Sequence, residues 1–414
     1  MVRGTSGRVR CGAPREKGRS PVLGSALLVL VVVAGCRAGE HRERPARGAG
    51  PPEAPAASSS PGRPAPLDED ARAWVRRTLG SLSLREKVAQ LVSVWVSGGY
   101  AATSDPELEK TFALVERGLG GVTISIGLPY SFAAKLNALQ ERARVPLLVT
   151  SDFEAGPGYR LHGIYALPHV IDLGGGTEFP RPMAFGAIGD ERFAFRLGRI
   201  TGEEARAVGV QLDFAPVVDV NSNPANPIIN TRSFGEDPEQ VARLGAAFIR
   251  GARSAGLLTT AKHFPGHGDT RTDTHLELPV VPADRGRLDT LELVPFRRAI
   301  AAGVDAVMTA HVKVPAVLGP DAPPATLSRY FLTEVLRADL GFQGLVYTDA
   351  LDMGAIVRRY GPGDAAVRAL EAGADLLLMP ADPLGAVDAV VAAVRSGRLT
   401  EARVDSSVRQ LLET

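Results

Sequence analysis

Fourteen consecutive residues, Lys262-His263-Phe264-Pro265-Gly266-His267-Gly268-Asp269-Thr270-Arg271-Thr272-Asp273-Thr274-His275, hold three of the chain's seven histidines, a lysine and two aspartates. Unpaired, these side chains are costly to bury, so the run is poor core material. Gly266 and Gly268 loosen the backbone and Pro265 keeps a helix from forming through it. The spacing suits a loop that holds titratable groups against a ligand. The apolar run 256–261 directly before it reads as a short buried strand, so the loop leaves a strand's C-terminal end, where α/β enzymes keep their chemistry. Histidine titrates near ~6.5, so it can donate and accept a proton at neutral pH.

The elements that must position such a loop recur along the chain. β-rich runs fall at 91–97, 121–126, 146–152, 210–216, 257–263, 306–311, 344–349 and 374–379. Helical patterns separate them, among them 131–144, 190–208 and, at the end, 400–412. Ser83-Leu84-Arg85-Glu86 and Ser104-Asp105-Pro106-Glu107 read as capping boxes, the second with Pro in the first turn. Eight strands alternating with helices predict an α/β fold with a parallel sheet closed as a TIM (β/α)8 barrel. Most runs are rich in Val, Leu and Ile without polar alternation, as expected of strands covered on both faces. Asp152, Asp213, Lys262-His263, His311 and Asp349 stand at strand C-terminal ends, which converge on one mouth in a barrel. The long stretch 153–209 is expected to make an excursion at the barrel top, with Gly174-Gly175-Gly176 a flexible part of it.

Composition divides the chain further. Six Arg or Lys in the first 19 residues precede a fourteen-residue, mostly apolar run over 22–35 that ends at Cys36. That run is short for a spanning helix, which needs ~20 apolar residues, and fits a signal segment. Val33-Ala34-Gly35-Cys36 resembles a lipoprotein box in which Cys36 is lipidated, placing the protein on the bacterial cell envelope. A secretory signal without lipid and a cytoplasmic chain are the alternatives. Residues 37–66, rich in Pro, Ala, Gly, Ser and Arg, read as a disordered tether. Residues 67–414 are expected to form one catalytic domain. The formal net charge of +1 comes with no basic stripe, which argues against nucleic acid as a partner. Cys11 and Cys36 both precede the domain, which therefore has no disulfide or thiolate metal site.

The opening motif resembles the signature of the β-N-acetylglucosaminidases of glycoside hydrolase family 3. Three more stretches agree in order: Phe214-Ala215-Pro216-Val217-Val218-Asp219-Val220; Asn223-Pro224-Ala225-Asn226-Pro227 leading to Thr231-Arg232-Ser233-Phe234-Gly235-Glu236-Asp237-Pro238; and Tyr347-Thr348-Asp349-Ala350-Leu351-Asp352-Met353. The resemblance runs from about 75 to 412. It implies a retaining exo-β-N-acetylhexosaminidase acting on N-acetylglucosamine-terminated glycans such as peptidoglycan fragments. No cofactor and no metal are implied, and the enzyme is expected to work as a monomer.

The resemblance also implies roles. Asp349 is the nucleophile that forms a glycosyl-enzyme, a task suited to a carboxylate facing an oxocarbenium-like transition state. His275 is the acid/base, oriented by Asp273, where most retaining glycosidases place a second carboxyl group. Lys262, His263 and Arg232 bind substrate hydroxyls, and Asp152 with Arg160 grips the far side of the sugar. A buried ion-pair network at the mouth is the bland alternative for these five. Asp352 is read as loop-shaping, and His267 and His311 as hydrogen-bonded supports. The family's DQEGGRVxR-type stretch appears here as Asp152-Phe153-Glu154-Ala155-Gly156-Pro157-Gly158-Tyr159-Arg160, which keeps the Asp-to-Arg spacing but brings in Ala155 and Pro157.

Three rival readings remain. A β-glucosidase or β-xylosidase of the same family usually takes its acid/base from a second domain. A metal-dependent barrel hydrolase could use His263, His267, His275, His311 and Asp349, but the first strand lacks the His-x-His pair of that class. A non-catalytic sugar-binding lipoprotein is disfavoured by the presence of Asp349, Asp273 and His275 together.

Overall fold

The structure, a computed structural model, describes residues 67–414 apart from Thr103, Ile164, 167–170, Leu173 and 273–277. Cys36, Asp273 and His275 therefore lie outside the described residues. Eight parallel strands follow the predicted runs: β1 (Val92–Gly98), β2 (Gly121–Gly127), β3 (Leu148–Ser151), β4 (Leu212–Asp213), β5 (Leu258–Phe264), β6 (Ala306–Thr309), β7 (Leu345–Tyr347) and β8 (Leu377–Leu378). They pair in the order β8-β1-β2-β3-β4-β5-β6-β7. A parallel bridge between Tyr347 and Leu376 joins the two ends, with the Leu376 amide donating to Val346 O at 3.0 Å. The sheet closes into a TIM-type α/β barrel.

Five of the strands, β3, β4, β6, β7 and β8, are shorter than their apolar runs. Near the mouth, side chains take over the backbone groups that a neighbouring strand would otherwise satisfy. Asp213 Oδ1 accepts the Phe153 N–H at 2.8 Å, and Thr348 Oγ1 accepts the Leu378 N–H at 2.9 Å. Asp213, one of the polar strand ends read from the sequence, is thus part of what ends β3.

The lumen is a packed core. Phe214, just past β4, meets Tyr347 of β7 edge-on at 5.1 Å, and strands so far apart can touch only across the interior. Such an aromatic pair adds about 1 kcal/mol beyond its burial. Thr150 pairs with Leu212 in register, two residues before Phe214, so it shares the lumen face. Thr123 and Trp95, the partners of Thr150 and Thr123 on the next strands, share it too. Hydroxyls follow this face around, with Thr123 Oγ1 2.7 Å from Thr150 Oγ1 and 3.4 Å from Ser93 Oγ. The alternate residues Val92, Val94 and Val96 are buried on the outer, helix-covered face.

Helix boundaries follow local chemistry. Ser83 makes the complete capping box, its hydroxyl accepting from the Glu86 N–H while Glu86 accepts the Ser83 N–H. The second box is corrected by one residue. Asp105, not Ser104, caps the helix Pro106–Glu116, accepting the Glu107 and Leu108 N–H groups. A carboxylate next to Pro106 at the first position outcompetes the serine. Asp190 caps Glu191–Ala207 and Thr400 caps Glu401–Leu412. The excursion after β3 holds a short antiparallel ribbon (Tyr165–Ala166 with Ile171–Asp172) and the helix Pro182–Ile188. In its glycine run, Gly174 takes a positive φ in open space, while Gly175 and Gly176 are closely packed. A Cβ on Gly175 would come 2.6 Å from the Gly163 amide nitrogen, and one on Gly176 2.6 Å from Pro157, so these glycines serve close backbone packing.

Candidate active site

Strands β3, β5 and β7 deliver Asp152, Lys262 and Asp349 to the mouth, each two residues beyond a lumen-facing position. Lys262 is buried, and its Nζ lies 2.7 Å from Asp152 Oδ1 and 2.6 Å from Glu154 Oε1. Glu154 also receives Arg232 through two parallel bonds, Nε to Oε2 at 2.8 Å and Nη2 to Oε1 at 2.7 Å. Burial alone would raise the Glu154 carboxyl, yet the cations Arg232 and Lys262 hold it well below the ordinary range. Burial would likewise lower Lys262, but Asp152 and Glu154 keep it above its ordinary value and charged. Arg160 is a looser partner of Asp152, with Nη2 3.9 Å from Oδ2 and Nε donating to the Asp152 carbonyl at 3.3 Å. Its guanidinium stacks 4.3 Å from the Tyr159 ring centroid. Asp152 is thus shared between Arg160 and, more closely, Lys262.

A second cluster fixes the histidines. Asp219 is buried just beyond β4 and accepts from three groups of the β5 exit. The His263 amide donates to Oδ2 at 3.2 Å, the His263 Nδ1–H to Oδ2 at 2.7 Å, and the His267 amide to Oδ1 at 2.6 Å. Desolvation opposes the Asp219 charge, but His263 and His267 overcome it and hold the carboxyl below its ordinary value. The Asp219 contact fixes the His263 ring, whose Nε2 lies 3.4 Å from Arg232 Nη2. His267 donates Nδ1–H to Thr270 Oγ1 at 2.7 Å, while its buried Nε2 has no hydrogen-bond partner. Burial lowers this imidazole to about 4, so it is neutral at pH 7.

The segment after β4 braces the same loop. Asn226 Nδ2 donates to His267 O at 2.8 Å, and Asn223 Nδ2 to Thr270 O at 3.2 Å. Gly268 is required here, because a Cβ would sit 1.7 Å from Val220 O. The Asn223–Asp237 stretch and the Lys262–Thr272 stretch, distant in sequence, form one scaffold.

Asp349 is partly exposed at the mouth, and its Oδ1 accepts the Ala350 N–H at 2.8 Å. Burial would raise it, but His311, His263, the Ala350 amide and Lys262 outweigh that effect and leave it below the ordinary Asp value. His311 is held by Thr326 Oγ1 at 2.8 Å and by Ala350 O at 2.9 Å, the supporting role expected of it. An ionised carboxylate aimed into a mouth lined by fixed cations can act as a nucleophile or bind a polyol. Among the described residues no group of three or more His, Cys, Asp or Glu is placed to hold a metal ion.

Three residues of this arrangement escape sequence reasoning: Glu154, Asp219 and Asp213. Glu154 stands two residues after Asp152, and Asp219 ends the Phe214–Val220 segment already singled out, so position within each motif was the available signal. Asp213 was noted at its strand end without a role. It is buried with Oδ2 unpartnered, and desolvation pushes it up to about 8, so it is neutral at pH 7. Its neutrality leaves Asp152 and Glu154 to balance Lys262 and Arg232.

A closed parallel barrel with acids and fixed cations gathered at its strands' C-terminal ends has the architecture of a TIM-barrel enzyme. The chain belongs to glycosyl hydrolase family 3: the model of the family's N-terminal domain matches residues 83–414. It is 38% identical over 253 residues to β-hexosaminidase A of Pseudoalteromonas piscicida, covering 59% of this chain and 41% of the relative. It is 34% identical over 359 residues to a β-N-acetylglucosaminidase/β-glucosidase of Cellulomonas fimi, covering 84% of this chain and 60% of the relative. The chain thus spans less than two thirds of the length of these relatives. The solved family 3 β-N-acetylglucosaminidase of Paenibacillus sp. str. FPU-7 superposes with a TM-score of 0.72 at 44% identity, covering 80% of this chain and 62% of that one.

Proposed function

We propose that the protein is a retaining exo-β-N-acetylhexosaminidase that removes terminal β-N-acetylglucosamine. The observation that carries this reading is Asp349: an ionised carboxylate at the end of β7, facing the mouth that Lys262, His263, Arg232 and Asp152 line. The names of the Pseudoalteromonas and Paenibacillus relatives support the sugar. Asp349 attacks the anomeric carbon while His275, oriented by Asp273, protonates the departing oxygen. In the second step His275 takes a proton from water, which displaces Asp349 and releases the sugar with its configuration retained. Lys262, His263, Arg232, Asp152 and Arg160 hold the hydroxyls. A neutral imidazole places no second negative charge beside Asp349.

The natural substrate in this reading is a peptidoglycan fragment ending in N-acetylglucosamine. The basic start, short apolar run and Cys36 support a lipid anchor that holds the domain at the cell envelope through the 37–66 tether. The paired activities named for the Cellulomonas relative favour β-glucoside cleavage as a second reading. One assay separates the two: 4-nitrophenyl N-acetyl-β-glucosaminide against the β-glucoside, with wild type and Asp349→Ala. Selective cleavage of the first, lost by roughly 10³-fold or more in the variant, is the expected result. Comparable glucoside turnover moves the assignment to the second reading, and an active Asp349→Ala protein removes the nucleophile.

A further inference from the structure

We infer that Trp95 forms the apolar wall of the sugar site and sets its preference for a hexose ring over a pentose ring. The inference rests on the site proposed above. Trp95 faces the lumen, as its register with Thr123 and through it Thr150 requires, yet it is 48% exposed while Val94 and Val96 beside it are buried. A lumen-facing residue can reach solvent to that extent only at the open mouth.

The barrel stagger fixes its height. In an eight-stranded barrel of shear 8 the hydrogen-bonded register climbs about one residue per strand. Two strand-to-strand steps lead from Thr150 on β3 to Trp95 on β1, which brings Trp95 level with Asp152, two residues beyond Thr150. From the other side, Ser93 pairs with Leu378, and Tyr347 bridges Leu376, which sets Asp349 across from Leu378. Two further strand steps bring Asp349 level with Trp95. Lumen layers in such barrels hold four side chains from alternate strands. Trp95 of β1, Asp152 after β3, Lys262 of β5 and Asp349 after β7 form one layer at the mouth, and the first of these is the only member of the four without charge.

Within that layer Asp349 faces Asp152 across the mouth, and Lys262 faces Trp95. A pyranose whose C1 lies at Asp349 and whose far hydroxyl lies at Asp152 presents one edge to each remaining wall. The C2–C3 edge carries two polar substituents and matches Lys262, with His263 and Arg232 beside it. The C5–O5 edge, with its C–H groups and the C6 carbon, is left to the indole, whose apolar surface suits it. On the adjoining strand, Ile126 lies where the β1–β2 register slips, with φ of 55° and 48% exposure, so the rim there is apolar as well.

The chain has two tryptophans, and Trp74 lines a cavity with Leu148 and Leu258 at the opposite end of the strands. A Trp74→Phe protein therefore reports Trp95 alone by fluorescence. Titration with N-acetylglucosamine is expected to change that emission saturably. Trp95→Ala is expected to lose about tenfold in kcat/KM on 4-nitrophenyl N-acetyl-β-glucosaminide, mostly through KM, and Trp95→Phe to keep most of it. On the corresponding 2-acetamido-2-deoxy-β-xyloside, which lacks C6, Trp95→Ala should change little. Equal losses on both glycosides, no loss on either, or emission indifferent to saturating sugar overturns the inference. A wild type that turns over no N-acetylglucosaminide defeats the functional reading instead. Titration of the Trp74→Phe protein with glucose and xylose then still decides whether Trp95 meets a sugar, a stronger response to glucose being expected and none or an equal one overturning it.

Discussion

His263 Nδ1 lies 2.7 Å from Asp219 Oδ2, a carboxylate buried behind the site that also takes the backbone N–H groups of both His263 and His267. One side chain from the β4 exit thus sets the ring orientation of a histidine at the barrel mouth and the path of the loop after β5. Asp219→Asn turns one acceptor oxygen into a donor facing donors. The expected cost is about 2–3 kcal/mol of stability, read from a denaturant midpoint, because buried N–H groups lose their partner. The expected loss of kcat/KM is at least tenfold. A variant as stable and as active as wild type contradicts this role.

Glu154 bridges Lys262 and Arg232, so its removal leaves two half-buried or buried cations facing one another. Breaking such a pair by removing one partner costs about 3–5 kcal/mol. Glu154→Gln should be strongly destabilised and should bind sugar weakly. The double variant Glu154→Gln/Arg232→Met should recover part of the stability without recovering binding. A thermal-denaturation series over the four proteins of the cycle checks this, and purely additive losses count against the bridge.

Asp213 gives a pH signature. Its folded-state value is pushed up to about 8 from the ordinary 3.8, so between these limits the unfolded chain has released a proton that the folded chain keeps. Stability contributed by the neutral form is therefore complete below about pH 4 and is lost as pH rises through about 8. His267 has the opposite sign. Its folded value is lowered to about 4 from 6.5, so its contribution is complete above pH 6.5 and is lost as pH falls through about 4. Asp213→Asn mimics the neutral acid and should flatten the alkaline decline while leaving the acid limb in place. Urea midpoints of both proteins from pH 4 to 9 are the measurement. Parallel curves on the alkaline side would falsify the neutral assignment.

The sequence carried the fold because apolar runs alternate with capped helices. All eight strands and the helices begun by Ser83, Asp190 and Thr400 stand where that pattern put them. Strand ends were less legible, since Asp213 and Thr348 terminate pairing through bonds to residues far along the chain. The site was legible where chemistry is local, as in Lys262-His263. It was hidden where it depends on residues brought together only by closure, such as Glu154 with Arg232 or Asp219 with His263. Trp95 is the extreme case. In the sequence it is one more apolar residue of a strand, and only its lumen-facing register together with its exposure separates it from core.

The proton-donor role proposed for His275 makes a prediction about leaving groups. A poor leaving group needs its oxygen protonated as the bond to C1 breaks, whereas 4-nitrophenolate departs as an anion with little help. General acid catalysis contributes about 10²–10⁴-fold where it is needed. His275→Ala should therefore lose that much in glycosylation of a disaccharide substrate and much less with an aryl glycoside. The water-activating step shares the same imidazole, so the variant should also accumulate a glycosyl-enzyme on Asp349, visible as a mass increase after rapid quenching. External azide, a nucleophile that needs no base, should then release the sugar as the β-azide. An equal loss on both substrates, with no trapped intermediate, shows that the imidazole serves the loop and not the proton.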